Sequence, residues 1–136
     1  MGGRGAYSSK GGFSTQEYRS TGETIKGIKV IEQIKPGNAK LPQMSNTPNT
    51  EYILKSNGVY KSLGVYGSDR RLQKEIEIRH GHTNRPKSGK KEKLKKGVAH
   101  VHNIKGGRGN NVRYMTKKEI KKYGNAVIAM GGKISE

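Results

Sequence analysis

The sequence predicts an α+β fold: a small antiparallel β-meander of four to five strands with one short C-terminal helix, preceded by a flexible basic arm. Three observations carry this expectation. The segment "RLQKEIEIRH", residues 71–80, alternates with a period of two. Leu72, Lys74, Ile76, Ile78 and His80 share one face, and Gln73, Glu75, Glu77 and Arg79 share the other, as in a strand with one wet face. Asn57-Gly58 separates "YILK" from "VYKSLGVY", a two-residue hairpin signal, because both residues tolerate positive φ. Thr116, with Glu119 three residues on, forms a capping box that opens "TKKEIKKYG", and Gly124 supplies a stop.

The elements follow in chain order. Residues 1–21 are rich in Gly, Ser and Thr with scattered Arg and Lys and no apolar periodicity, which reads as the flexible arm. They hold no apolar segment of the kind a secretory leader needs, and Ala6 breaks the myristoylation pattern. Residues 22–50 form a second zone. In "ETIKGIKVIEQIK", Ile25, Ile28, Ile31 and Ile34 are three apart, one stripe of a helix. The β-branched side chains and Gly27 favour a strand, and both readings stay open. "PGNAKLPQMSNTPNT" then reads as a Pro/Asn linker. Residues 51–136 form the compact unit. Its strands are "YILK", "VYKSLGVY", the alternating segment after the turn "GSDR", "GVAHVHNI" and "VRYM", with "KGGRGNN" as a turn and "NAVIAMGGKI" as a last strand beyond the helix.

Composition limits the partners. The chain of 136 residues is 29% hydrophobic, has no Trp and one Phe, and contains 20 glycines, so its core is small and aliphatic. Absence of cysteine excludes disulfides and Cys-ligated zinc. No apolar run is long enough for a membrane span. The formal net charge is +18, which points to a polyanion, RNA or DNA, rather than to a membrane.

All four histidines lie in two His-x-His pairs, His80/His82 and His100/His102, flanking a lysine-dense run. Three readings compete. A His on an apolar face is often a satisfied, half-buried structural residue. Paired imidazoles also serve as general base and acid in metal-independent phosphodiester transfer. On that reading His80, His100 and His102 are the catalytic candidates, and Arg113 is a cation for the phosphate. The third reading is a metal site, since His-x-His on a strand aims both rings to one side. It is weakened by the want of a suitably placed Asp or Glu, by the absence of Cys and by the surrounding positive charge, so neither metal nor cofactor is expected.

The run "RPKSGKKEKLKK" offers Arg85, Lys87, Lys90, Lys91, Lys93, Lys95 and Lys96 as phosphate contacts. Arg108 in the glycine turn and Lys117, Lys118, Lys121 and Lys122 on the helix extend the footprint. A solvated charged face is the plain alternative.

The opening "MGGRGAYSSKGG" resembles the start of small phage and prophage proteins of the head-morphogenesis neighbourhood. The segment "YILKSNGVYKSLGVYGSDRRLQKEIEIRHGH…GVAHVHNI…MTKKEIKKYG", about residues 50–125, loosely resembles phage-borne toxin-like domains of the barnase, colicin and RelE type. The resemblance implies a basic protein that binds nucleic acid mainly through the phosphate backbone. Alternatives are a ribonuclease-like toxin domain, or a virion component that meets phage structural proteins or an acidic partner. It places the protein in the bacterial host cytoplasm or the virion.

Overall fold

The computed structural model describes residues 17–34, 39–78, 82–84, 92–94, 98–105 and 108–134; for 82–84, 92–94, 105 and 108–111 it describes the backbone alone. The fold is α+β. Its strands are β1 (Tyr18–Ile25), β2 (Ile28–Gln33), β3 (Glu51–Ser56), β4 (Val59–Tyr66), β5 (Leu72–Glu77), β6 (His82–Asn84), β7 (Glu92–Leu94), β8 (His100–Lys105) and β9 (Arg108–Tyr114), followed by helix α1 (Lys117–Ala129). Seven strands form one sheet in the order β1-β2-β3-β4-β5-β8-β9, and β6 pairs with β7 as a separate hairpin. All pairings in the large sheet are antiparallel except β2 with β3.

The sheet is wider than the four to five strands expected, because Glu23–Ile34 is not a helix. It supplies parts of β1 and β2, joined at Lys26-Gly27 with φ of 52° and 81°. The second strand–turn–strand signal, Asn57-Gly58, takes the same form, with φ of 51° and 78°. Positive φ at both central residues matches the right-handed twist of the flanking strands. The Ile28/Ile31 spacing that resembled a helical stripe is shared out by the pleat: Val30 joins the core on one face and Ile31 the core on the other. The sheet therefore begins at Tyr18, inside the zone assigned to the arm, rather than at Glu51.

Two apolar layers flank the sheet. On one face Val30, Ile53, Leu63, Ile76 and Val101 pack with Tyr123, Ala126, Val127 and Met130 of α1. On the other, Ile31, Tyr52, Leu54, Tyr66 and Leu72 pack around Leu41. Leu41 belongs to the segment read as a linker, whose described part, residues 39–50, is instead a packed strap leading into β3. Tyr66 Oη donates to Pro42 O at 2.7 Å, Leu72 N–H to Gln43 O at 2.9 Å and Ser45 N–H to Arg70 O at 2.7 Å. Such bonds satisfy backbone groups that would otherwise be buried without partners.

The first half of the expected last strand, residues 125–129, is helix instead, and of the remainder only Lys133 pairs, in an isolated parallel bridge with Val98. Gly124 lies buried inside α1, which runs on to Ala129. Buried positions at Glu119, Tyr123, Ala126, Val127 and Met130 have the three-to-four spacing of one helical face. The stop is at Gly131, with φ of 98°. Gly131 N–H donates to Ile128 O and Gly132 N–H to Val127 O, the paired bonds of a Schellman ending.

Gly132 is sterically required. A Cβ there would lie 2.7 Å from Ile78 Cγ2 and 2.9 Å from Val127 Cγ1, and both neighbours belong to the core beneath α1. Gly132→Ala is expected to destabilise the fold by ~1–3 kcal/mol through overpacking. Urea unfolding checks it: the midpoint falls while the slope stays unchanged.

Candidate functional site

The polar end of the sheet's second face is set by register. Glu77 of β5 pairs with Ser62 of β4 on one side and with His100 of β8 on the other. Glu75 pairs with Gly64 and with His102. Directly opposed residues share a face. Two carboxylates and two imidazoles thus meet on the side of the sheet away from α1.

The contacts converge on one oxygen. His100 Nε2 lies 3.2 Å and His102 Nε2 3.0 Å from Glu77 Oε1. The ring centroids are 5.2 Å apart. His100 Nδ1 faces Val98 O at 3.3 Å, and the His100 side chain is fully buried, whereas His102 is 17% exposed. The hydrogen bond to Glu77 raises the pKa of His102 above the ordinary imidazole value, against a smaller lowering from burial. Burial pushes the Glu75 carboxyl up; the Ser62 hydroxyl opposes this and the Glu77 charge adds to it.

This arrangement bears on two expectations. The metal reading lacked a carboxylate, and Glu77 is that carboxylate: Glu77, His100 and His102 are a group able to hold a metal ion among the described residues. The sequence could not reveal it, because β5 and β8 are joined by a long segment rather than a tight turn, and only a tight turn makes register readable. His100, a catalytic candidate, has both ring nitrogens engaged within the protein and no surface open to a substrate. His80 lies outside the described residues.

Arg113, the fourth catalytic candidate, is occupied by α1. Its guanidinium donates to both oxygens of Glu119, at 2.7 Å and 3.0 Å. Lys74 Nζ adds 2.8 Å to Oε2, and Thr116 N–H adds 2.9 Å to Oε1. The predicted capping box is present. Burial alone would raise the Glu119 carboxyl, but Arg113, Lys74 and the Thr116 N–H outweigh it and hold the pKa at about 2. The sequence reading found the cap and missed the two cations, because Lys74 is 45 positions away.

Of the phosphate-contact candidates, Lys117, Lys118, Lys121 and Lys122 are exposed on α1. Lys93 lies on β7 and Arg108 on β9, described by backbone alone. Arg85, Lys87, Lys90, Lys91, Lys95 and Lys96 lie outside the described residues. Comparison with protein families, with curated proteins and with solved structures returned no significant match.

The Glu119 network sets an acid limit. A carboxyl held at about 2 in the fold and at its ordinary 4.5 when unfolded contributes stability that is fully present above pH 4.5 and lost as pH falls toward 2. Glu119→Gln is expected to cost roughly 1–3 kcal/mol at neutral pH, the usual worth of hydrogen bonds to charged groups. It should also flatten the loss of stability between about pH 4.5 and 2. Thermal melts of both proteins across that range provide the check; an equal acid slope would assign the sensitivity to other carboxylates.

Proposed function

We propose that the protein binds nucleic acid through the phosphate backbone, with the exposed side of α1 as part of its contact surface. The observation that carries this reading is a lysine stripe in an unfavourable place. Lys117, Lys118, Lys121 and Lys122 occupy the first turns of α1 and are exposed. The positive end of the helix dipole disfavours cations there. Lys117/Lys121 and Lys118/Lys122 are also like-charge pairs four apart, each unfavourable by ~0.2–0.5 kcal/mol. The acid of the first turn, Glu119, is buried under the helix rather than placed to offset them. A stripe that works against its own helix is better accounted for by an anionic partner than by solvation alone.

The acids strengthen the same reading. Against 28 Lys and Arg the chain has 10 Asp and Glu, and several of these are held in internal contacts. Glu23 meets Lys55 and Tyr60, Glu32 meets Arg19, Glu51 meets Tyr123, Glu77 meets two histidines, and Glu119 meets Arg113 and Lys74. Little negative charge is left to screen the surface lysines. The field outside the protein is therefore strongly positive, which favours a polyanion at long range. Phosphate contacts of this kind carry no base preference. The fully buried His100 gives no support to histidine acid/base catalysis, so binding is preferred to cleavage.

Replacing Lys117, Lys118, Lys121 and Lys122 together by Gln is expected to weaken binding to RNA and DNA alike. The slope of log affinity against log salt concentration should fall by about 3 to 4, one contact per lysine. Fluorescence anisotropy with labelled oligonucleotides at several salt concentrations measures both. An unchanged slope would remove α1 from the interface, and no retention of either nucleic acid by the parent protein would sink the reading.

A further inference from the structure

We infer that Glu77, His100 and His102 form a binding site for one divalent transition-metal ion of the zinc class. The inference begins with a proton count. A carbonyl oxygen only accepts, so the contact of His100 Nδ1 with Val98 O at 3.3 Å places the ring proton on Nδ1. Nε2 then presents a lone pair, yet it faces the Glu77 carboxylate at 3.2 Å. Two acceptors at that distance need something positive between them. His102 Nε2 faces the same oxygen at 3.0 Å, so two imidazole nitrogens converge on Oε1.

Protons satisfy the geometry poorly. With its first proton on Nδ1, His100 could donate to Glu77 only as an imidazolium, in a fully buried side chain, where an ionic charge is costly. A divalent cation satisfies both rings and the carboxylate at once.

The spacing suits such an ion. With bonds of about 2.0–2.2 Å to nitrogen and oxygen, the ligand atoms of a tetrahedral centre stand about 3.3 Å apart. The nitrogen–oxygen separations, 3.2 Å and 3.0 Å, match that spacing, and the two imidazole nitrogens lie within 4.8 Å of each other. The donor set of two imidazoles and one carboxylate selects zinc-class ions over Mg²⁺. Val98 O behind His100 Nδ1 is the outer partner that fixes ring orientation in such sites. Glu75, on the same face and paired with His102 in the register, brings a second carboxylate close. Among the described residues three protein ligands converge, and a tetrahedral ion takes a fourth. The site lies on the face opposite α1, and the inference does not depend on nucleic-acid binding.

The test uses tag-free full-length protein stripped with EDTA and dialysed free of it. Titration with Zn²⁺ followed by calorimetry and thermal melting should show one ion per chain and a raised melting temperature, with no response to Mg²⁺. Co²⁺ should give the visible bands of a tetrahedral nitrogen–oxygen site. Glu77→Gln and His102→Gln should each weaken Zn²⁺ binding by at least about 100-fold, beyond the 10–100-fold that loss of an outer partner costs. Both changes preserve size and hydrogen-bonding capacity, and circular dichroism confirms that the variants fold; if one does not, the other decides. A His80/His82→Gln double variant should bind as the parent does. No saturable Zn²⁺ binding, binding unchanged in the Glu77 and His102 variants, or binding lost with His80 and His82 instead would each overturn the inference.

Discussion

Both oxygens of Glu119 are occupied, by Arg113 from β9, Lys74 from β5 and the Thr116 N–H at the head of α1. One side chain thus caps the helix and ties it to two strands that have β8 between them. Much of the arrangement around it depends on this anchor. With α1 fixed over β5, β8 and β9, the odd-numbered Glu75 and Glu77 must face the opposite side, because side chains alternate along a strand. The polar group on that second face is therefore a consequence of the helix's position on the first. A buried carboxylate is an expensive fastening unless it is fully paired, and here its hydrogen bonds come from two cations and a backbone amide.

Two devices extend a simple meander into a seven-stranded sheet. The Lys26-Gly27 and Asn57-Gly58 turns build local hairpins, which the chain could form from nearby residues. The parallel join of β2 to β3 cannot be local, since parallel strands need a crossing connection. The strap supplies it, and Leu41 at its centre fills the space that Gly64 leaves open. A Cβ at Gly64 would lie 2.9 Å from Leu41 Cδ1.

What the sequence revealed follows from how local each feature is. The Asn57-Gly58 hairpin and the Thr116/Glu119 cap each involve a few neighbouring residues and are present in the structure; the alternation in β5 holds from Lys74 onward, whereas Leu72 joins the core on the opposite face, because the ladder to β4 shifts register between Val65 and Tyr66. Ile25, Ile28 and Ile31 misled because a spacing of three fits a helical stripe as well as two strands around a turn. Gly124 misled because a glycine inside a helix looks like a stop until the buried face beyond it is known. The Pro/Asn segment passed for a linker because its anchors, Tyr66, Arg70 and Leu72, are distant in sequence. The meeting of Glu77 with His100 and His102 was hidden for the same reason: each partner was visible, and their register was not.

The distribution of charge has a consequence for how the fold and its surroundings are coupled. Drawing carboxylates inward leaves a surface of like charge, and like charges oppose the compact state. Small ions relieve that opposition only within a Debye length, about 8 Å at physiological ionic strength. A polyanion lying along the lysines would do the same work more fully, acting as a bound counterion. Ligand binding to the folded state would then raise its stability by mass action. Added salt therefore acts in two opposed directions on this molecule. It relaxes the self-repulsion of the free protein, and it competes with any polyanion that has already relaxed it.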